Sequence, residues 1–281
     1  MLTEADFRSY IAAFNRNDFD SFSRLYAPDL EFRGRALQCR GREEVICFYR
    51  GVKARLRETL TVHALVVGEK ALVADVETEL HALEDWPDMP TGALLRGETR
   101  RSQNFLWYDV GDNRFTRIRA AHYRRLAPDD IAPDTIAKAD LGMSAAQFTA
   151  YINAFNRDDY AAFGDYYHDD VLLVIAGKHE LRGRNAVFDF YRSVKATTRR
   201  TIEINNVVTC GNQLAAELQS EFVALQDLPT FPAGPMKQGD RIFINTFVLY
   251  ELRDGKFASI RSAELQKIAR RPADSPTHTG K

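Results

Sequence analysis

Tyr10-Ile11-Ala12-Ala13-Phe14-Asn15-Arg16-Asn17-Asp18-Phe19 occurs twice in this chain. It returns as Tyr151-Ile152-Asn153-Ala154-Phe155-Asn156-Arg157-Asp158-Asp159-Tyr160, with seven of ten positions identical at an offset of 141 residues. That period is too long for a solenoid unit and suits a whole small domain, so the stretch marks a duplicated domain. Phe7, Tyr10, Ile11 and Phe14 fall at i, i+3, i+4 and i+7, as do Phe148, Tyr151, Ile152 and Phe155. Each copy therefore opens with a helix that turns an aromatic stripe to a core. Thr3 and Ser144 precede these helices, and Ser144 with Gln147 has capping-box spacing. The polar Asn15 to Asp18 and Asn156 to Asp159 break the helix. A second short one is expected to run to Leu25-Tyr26 and Tyr166-Tyr167, ended by Asp29 and Asp170.

A second anchor follows. From Arg40 to Lys53, nine of fourteen positions recur at an offset of 142, beginning with Arg40-Gly41-Arg42 and Arg182-Gly183-Arg184. The glycine marks a loop before a third helix. Beyond it each copy reads as strands: short ones at Leu30 to Arg33 and Val171 to Ile175 before that helix, then Thr61 to Val67, Ala71 to Leu83, Arg100 to Val110 and Phe115 to Tyr123, with counterparts in the second copy. Pro/Gly-rich connections, Asp85 to Gly97 and Asp227 to Gly239, read as cavity-mouth or interface loops. The class is α+β, three helices and a mostly antiparallel curved sheet per copy. The expected boundaries are 1–126, a linker at 127–143 containing Pro128 and Pro133, 144–270, and a disordered tail at 271–281.

With 45% hydrophobic and 27% charged residues and a formal net charge of −1, the 281-residue chain has the composition of an ordinary globular protein. No excess charge draws it to nucleic acid or a membrane surface. Cys39, Cys47 and Cys210 have no matched or C-x-x-C spacing and read as reduced thiols of a cytoplasmic protein. The polar, acidic N-terminus is unlike a signal peptide, and no stretch approaches the ~18 apolar residues of a membrane span.

Y-I-x-A-F-N-R-x-D, followed by Leu25-Tyr26-Ala27-Pro28-Asp29 and R-G-R-x-x-V-x-x-F-Y, resembles the SnoaL-like branch of the nuclear transport factor 2-like superfamily, in both halves of the chain. The resemblance implies two cone-shaped domains arranged as an intramolecular pseudo-dimer, with further homodimerisation open. It implies a cavity between sheet and helices that takes a small hydrophobic or polyketide-like molecule. It also implies cofactor-independent acid/base chemistry of the cyclase, isomerase or dehydratase type. Tyr10 and Tyr151 fall where ketosteroid isomerases keep the phenol that stabilises an oxyanion. The catalytic base of those enzymes has no match, since its place falls at Gly34 and Ile175. The second oxyanion donor falls near Asn104-Phe105 and Thr246-Phe247, and the late aspartate of polyketide cyclases near Leu126 and Ile268. Ketosteroid isomerase activity itself is disfavoured on those grounds.

His122 and Glu264 take equivalent places on the last strand in phase with Ile118 and Ile260, which points both inward as candidate proton carriers. Polar residues at a sheet end reaching solvent explain them equally well. Tyr26, Tyr49, Tyr167 and Tyr191 are candidate substrate contacts. Arg40 and Arg182 either bind an anionic group or brace a loop. Every one of these tyrosines also reads as core packing. Asp29 and Asp170 are pocket bases or local hydrogen-bond acceptors. Asp75, Glu77 and Glu79, with Glu217, Gln219 and Glu221, alternate opposite the apolar face, which sets them outside the cavity and within reach of Arg119 and Arg261. With the faces reversed they become general bases. His63, His81, His168 and His179 lack metal-ligand spacing. A non-catalytic module binding a small ligand or a protein is the rival reading, and a difference between the two cavities would show which copy works.

Overall fold

The computed structural model describes residues 1–34, 38–127, 129–130, 139 and 142–270. Most of the expected linker and all of the expected tail lie outside the described residues. The chain divides near residue 137 into two compact units. The first runs α1 (Glu4–Asn15), α2 (Phe19–Ser23), β1 (Tyr26–Arg33), β2 (Gln38–Arg40), α3 (Arg42–Arg55), β3 (Leu56–Val67), β4 (Ala71–Ala82), β5 (Thr99–Gly111) and β6 (Arg114–Leu126). The second repeats it as α4 (Ala145–Asn156), α5 (Tyr160–Gly164), β7 (Tyr167–Ile175), β8 (His179–Arg182), α6 (Arg184–Thr197), β9 (Thr198–Cys210), β10 (Gln213–Ala224), β11 (Arg241–Arg253) and β12 (Lys256–Arg270). Each unit has one sheet, ordered β2-β1-β6-β5-β4-β3 and β8-β7-β12-β11-β10-β9. β1 pairs with β6, and β7 with β12, in parallel, whereas β2–β1, β3–β4, β4–β5, β5–β6, β7–β8, β10–β11 and β11–β12 are antiparallel. The α+β class and the duplication stand as read. No helix among the described residues is long and apolar enough to cross a membrane.

The repeated stretch explains itself at atomic level. Thr3 and Asp6 exchange side-chain and backbone hydrogen bonds in a capping box at the start of α1, as Ser144 and Gln147 do for α4. At the other end, Asn17 (φ 60°) and Asp158 (φ 59°) take the left-handed conformation, which short polar side chains tolerate best after glycine. The Asp18 N–H then reaches the Ala13 carbonyl (3.0 Å) and the Asn17 N–H the Phe14 carbonyl (3.1 Å), a Schellman closure that satisfies the last carbonyls. Asp18 and Asp159 next cap α2 and α5. Four polar residues thus stop one helix and start another.

Asn15 does something different. Its Nδ2 donates to the Leu60 carbonyl and its Oδ1 accepts from the Leu60 N–H, both at 2.9 Å. Asn156 treats Ile202 in the same way, both at 2.8 Å. β3 and β9 are edge strands, so the amide takes the place of a missing strand and ties the helix end to the sheet edge. Lys53 of α3 adds to the clasp. Its ammonium donates to the Phe14 carbonyl (2.9 Å) and lies 3.8 Å from the centre of the Phe14 ring. Lys195 likewise donates to the Phe155 carbonyl at 2.5 Å.

Three local expectations change. Tyr26 and Asp29 belong to β1 rather than to the end of the second helix, which stops at Ser23; an aromatic-rich run leading out of a helix hid the change of period. β3 begins at Leu56, five residues before the expected Thr61, because α3 passes into it without a turn. β2 and β8 are too short to show an alternation. Gly41 (φ 100°) and Gly183 (φ 84°) occupy the N-caps of α3 and α6, a backbone geometry that only glycine takes without strain.

Leu72, Ala74 and Val76 of β4 join Phe7, Tyr10, Phe14, Tyr108 and Phe115 in the core. Asp75, Glu77 and Glu79 consequently face away from the helices, as the alternation implies. Asp75 is nevertheless fully buried, with both its oxygens 2.8 Å from the Gln103 amide nitrogen. Glu77 is gripped by Arg101 at 2.6 Å and His63 at 3.2 Å, and Arg101 holds its carboxyl below the usual carboxylate range. Arg119 pairs with Asp109 at 3.4 Å and Arg261 with Glu251 at 3.8 Å. Within the column itself, Glu77 is the member that Arg101 grips.

Removing the Asn15 amide strands a backbone donor and acceptor at about 1–3 kcal/mol each. Trp86 and Trp107 are the two tryptophans of the chain and both lie in the first unit, so their fluorescence follows its unfolding alone. In urea titrations, Asn15→Ala is expected to lower the tryptophan midpoint clearly and Asn156→Ala to lower it less. Equal midpoints for Asn15→Ala and wild type would remove the clasp from the account.

Candidate functional site

The first unit encloses a cavity of about 620 Å³ between its concave sheet face and its helices, a size suited to a small organic ligand. The walls follow from strand phase. Thr78 and Leu80 of β4, Ser102, Asn104, Leu106 and Tyr108 of β5, and Ile118, Ala120 and His122 of β6 all face inward, opposite Tyr10, Phe14, Tyr49 and Val52 of the helices. The loop Trp86 to Gly92 lines the mouth.

Four phenols stand together inside. Tyr10 and Tyr26 share a hydroxyl contact at 3.1 Å, and the Tyr108 ring stands edge to face with Tyr10, centres 6.0 Å apart. Burial pushes Tyr10, Tyr26, Tyr49 and Tyr108 well above the ordinary phenol pKa. All four therefore stay protonated and able to donate. Glu58 also faces this space, from the first turn of β3, in phase with Leu56 and Leu60. Its carboxylate has no hydrogen-bond or ion-pair partner among the described residues. Burial raises it from 4.5 to about 7, with Lys53 pulling weakly the other way. The residue still keeps part of its surface accessible, because that surface faces the void rather than packed atoms.

On the opposite wall His122 Nδ1 lies 3.3 Å from Asn104 Oδ1. The Asn104 amide is oriented by donating to Thr78 Oγ1 (3.0 Å) and Ser102 Oγ (3.1 Å). An amide oxygen only accepts, so the contact assigns the imidazole proton to Nδ1 and leaves Nε2 as the basic nitrogen.

The second unit keeps the frame and changes the contents. Tyr151 and Tyr167 meet at 2.6 Å, and burial raises them and Tyr191. At the offset of 142, however, Glu58 becomes Arg200. The Arg200 guanidinium carbon lies 5.4, 5.7 and 5.1 Å from the ring centres of Phe155, Tyr191 and Phe222. Leu80, Met89 and Arg100 become Phe222, Phe231 and Ile242, which pack together at the loop, with the two phenylalanine rings 5.5 Å apart. Asn104 and His122 become Thr246 and Glu264, paired in register.

Of the residues singled out from sequence, the first cavity brings together Tyr10, Tyr49 and His122, with Tyr26 bonded behind Tyr10. Glu264 is exposed. Arg40 and Arg182 lie on the outside, their side chains 75% and 71% exposed, beside Glu31 (3.9 Å) and Glu180 (2.6 Å). Asp29 is exposed, and Asp170 pairs with His168 at 2.6 Å and with Arg253. Glu58, Tyr108 and Asn104 are the cavity residues that sequence reasoning passed over as site groups. Glu58 could have been found: it is a charge reversal between copies, flanked by the invariant pairs Arg57/Arg199 and Thr59/Thr201. Among the described residues no three His, Cys, Asp or Glu side chains gather as a metal-holding group.

A search of curated proteins gives no match. Among solved structures, a candidate polyketide cyclase of Pseudomonas putida is 22% identical, with a TM-score of 0.37, covering 43% of this chain and 91% of its own. Another, from Xanthomonas campestris, is 22% identical with a TM-score of 0.36, covering 41% and 84%. An LEH-like epoxide hydrolase of M. tuberculosis is 15% identical with a TM-score of 0.35, covering 42% and 78%. Each covers the length of one repeat. The SnoaL-like domain family matches residues 7–118 and again 148–260, so the chain belongs to that family, twice over.

Proposed function

We propose that the first domain is the working one and that it moves a proton on an apolar, enolisable small molecule. The observation that carries this reading is a carboxyl without a partner, titrating at about 7, in a cavity that also holds phenol donors. A general base is most effective when its pKa lies near the working pH. In the forward step Glu58 takes a proton from carbon next to a carbonyl, and the oxygen that gains charge accepts a hydrogen bond from a neutral phenol, Tyr10, Tyr49 or Tyr108. The protonated Glu58 then returns the proton to a second carbon, completing an isomerisation. In an elimination, His122 first takes up a proton at Nε2 and, as imidazolium, gives it to the leaving hydroxyl, which departs as water and leaves the imidazole neutral. Cyclisation uses the same enolate as its nucleophile.

The second domain lacks the means for that step. A guanidinium is a cation at every working pH, so Arg200 cannot act as a base. In this reading Tyr151 and Tyr167 stay as core phenols, and Glu264 has no part in the proton transfer of the first cavity.

5-Nitrobenzisoxazole reports proton abstraction in an apolar site: a base removes its C–H proton, the N–O bond breaks and a coloured phenolate forms. The rate per protein is expected to rise with pH around a midpoint of about 7. Glu58→Gln should lower it about 100-fold, and Arg200→Gln should leave it unchanged. A pH profile insensitive to Glu58→Gln would sink the assignment.

The same carboxyl leaves a mark on stability. Its folded pKa lies above the unfolded value, so its contribution is fully present below about pH 4.5 and is lost as pH rises through about 7. At ~1.36 kcal/mol per unit the shift amounts to about 3 kcal/mol. Wild type should therefore lose tryptophan-reported stability as pH rises from about 4.5 to about 7, whereas Glu58→Gln loses less. Parallel pH profiles for the two proteins would show that Glu58 titrates normally.

A further inference from the structure

Beside the first cavity lies a second, polar space of about 440 Å³, lined by Ala93, Leu94, Glu98, Thr99, Arg100 and Arg125. Arg100 and Arg125 line both spaces and so stand at their junction. How Arg125 comes to be there is a matter of register. Ile118, Ala120 and His122 face the cavity; Tyr123 is then skipped in the β5–β6 pairing, so that Arg124 pairs with Gln103 and Arg125 with Ser102. A bulge reverses the alternation beyond it, which turns Arg125 inward and sends Arg124 to the Gln103 side chain on the other face (2.9 Å).

Arg100 has structural work to do. Its guanidinium donates to the carbonyls of Thr91 (3.1 Å), Gly92 (3.1 Å) and Ala93 (2.7 Å), which fixes the mouth loop. The second domain ties the same point of its loop with the other cation. Lys267, the counterpart of Arg125, donates to the carbonyl of Ala233, the counterpart of Thr91, at 2.9 Å, and Ile242 stands in place of Arg100. One cation is therefore enough for the loop. The first domain has two, and Arg125, which is exposed to solvent at the edge of both spaces, has no hydrogen-bond or ion-pair partner among the described residues. Arg100 Nε, buried at the same junction, also has no acceptor. The one carboxylate lining the polar space, Glu98, accepts from the Leu95 N–H at 2.8 Å.

An apolar chamber beside a polar space with unused guanidinium donors at the junction describes its ligand. Resting on the reading of the first cavity as a ligand site, we propose that it takes an amphipathic anion. The apolar body lies in the chamber and a carboxylate, sulfonate or phosphate is held at Arg125. Glu58, Leu80 and Arg100 are cross-strand neighbours on three successive strands, and Arg125 lies on the fourth, opposite Ser102, which spaces base and anion site by three strand separations, roughly 14 Å of sheet. That spacing keeps the ligand's charge from the carboxyl that must ionise.

Two probes share a body and differ in charge: 8-anilinonaphthalene-1-sulfonate and neutral N-phenyl-1-naphthylamine. Binding to the whole chain is read by energy transfer from tryptophan, which reports the first domain because Trp86 and Trp107 both lie there. Arg125→Gln should weaken the sulfonate about ten-fold, the worth of one charge-assisted hydrogen bond, and leave the neutral probe unchanged. Equal effects on both probes, or none on the sulfonate, would overturn the anion site while leaving the cavity reading intact. Energy transfer to neither probe would overturn the cavity reading and the anion site with it.

Discussion

A single side-chain amide holds the first domain in working shape. Asn15 completes the hydrogen bonding of the edge strand β3 at Leu60, and it does so from the last turn of the first helix. The sheet edge would otherwise be free to splay from the helices, because no neighbouring strand follows β3 in the order. The cavity lies directly beside that contact, since Leu60 also lines it. Glu58 sits two residues before Leu60 on the same strand. Lys53, which links the third helix to the Phe14 carbonyl, also donates to the Glu58 carbonyl at 3.4 Å. The strand that carries the carboxyl is therefore fixed by two polar contacts that never touch the carboxyl itself. A buried acid can then be left without a partner, since the fold gains its hydrogen bonds elsewhere.

That division of labour accounts for what differs between the copies. The amide, the lysine and the tyrosines recur in both, because they build the frame. The group at the Glu58 position is not needed by the frame, so it has changed sign. An arginine placed among Phe155, Tyr191 and Phe222 gains cation–π attraction and covers apolar surface with its stem. A carboxylate in the same surroundings gains nothing and bears the full desolvation penalty. Its persistence in the first copy is a cost of a few kcal/mol to stability, and costs of that kind gather at functional sites.

The repeat, the helix stripes, the α+β class and the outward acidic column were legible because each is a periodic pattern repeated twice in the chain. The site was legible only in part. Tyr10, Tyr49 and His122 follow from phase along regular elements. Glu58 was hidden by the direct passage from α3 into β3: a strand taken to start at Thr61 excludes it. Arg125 was hidden by a bulge, since simple alternation from His122 turns Arg124 inward instead. Arg40 drew attention as part of a recurring Arg-Gly-Arg, yet what recurs there is a loop whose glycine needs a positive φ. Recurrence between copies marks the scaffold. Divergence at a position whose neighbours recur marks a residue that the scaffold does not need.

The same rule reaches the mouth. Both loops need a cation for their carbonyls, and each copy supplies one from a different strand, Arg100 of β5 or Lys267 of β12. Once β5 took over that task in the first domain, the β6 position was released from structure and still carried a charge. In the second domain the β5 position became Ile242, which packs with Phe222 and Phe231 in an apolar cluster. The two mouths thus differ in which strand supplies the cation. One gave up a charge to gain apolar packing at its loop, and the other kept a surplus charge where an apolar chamber meets a polar one.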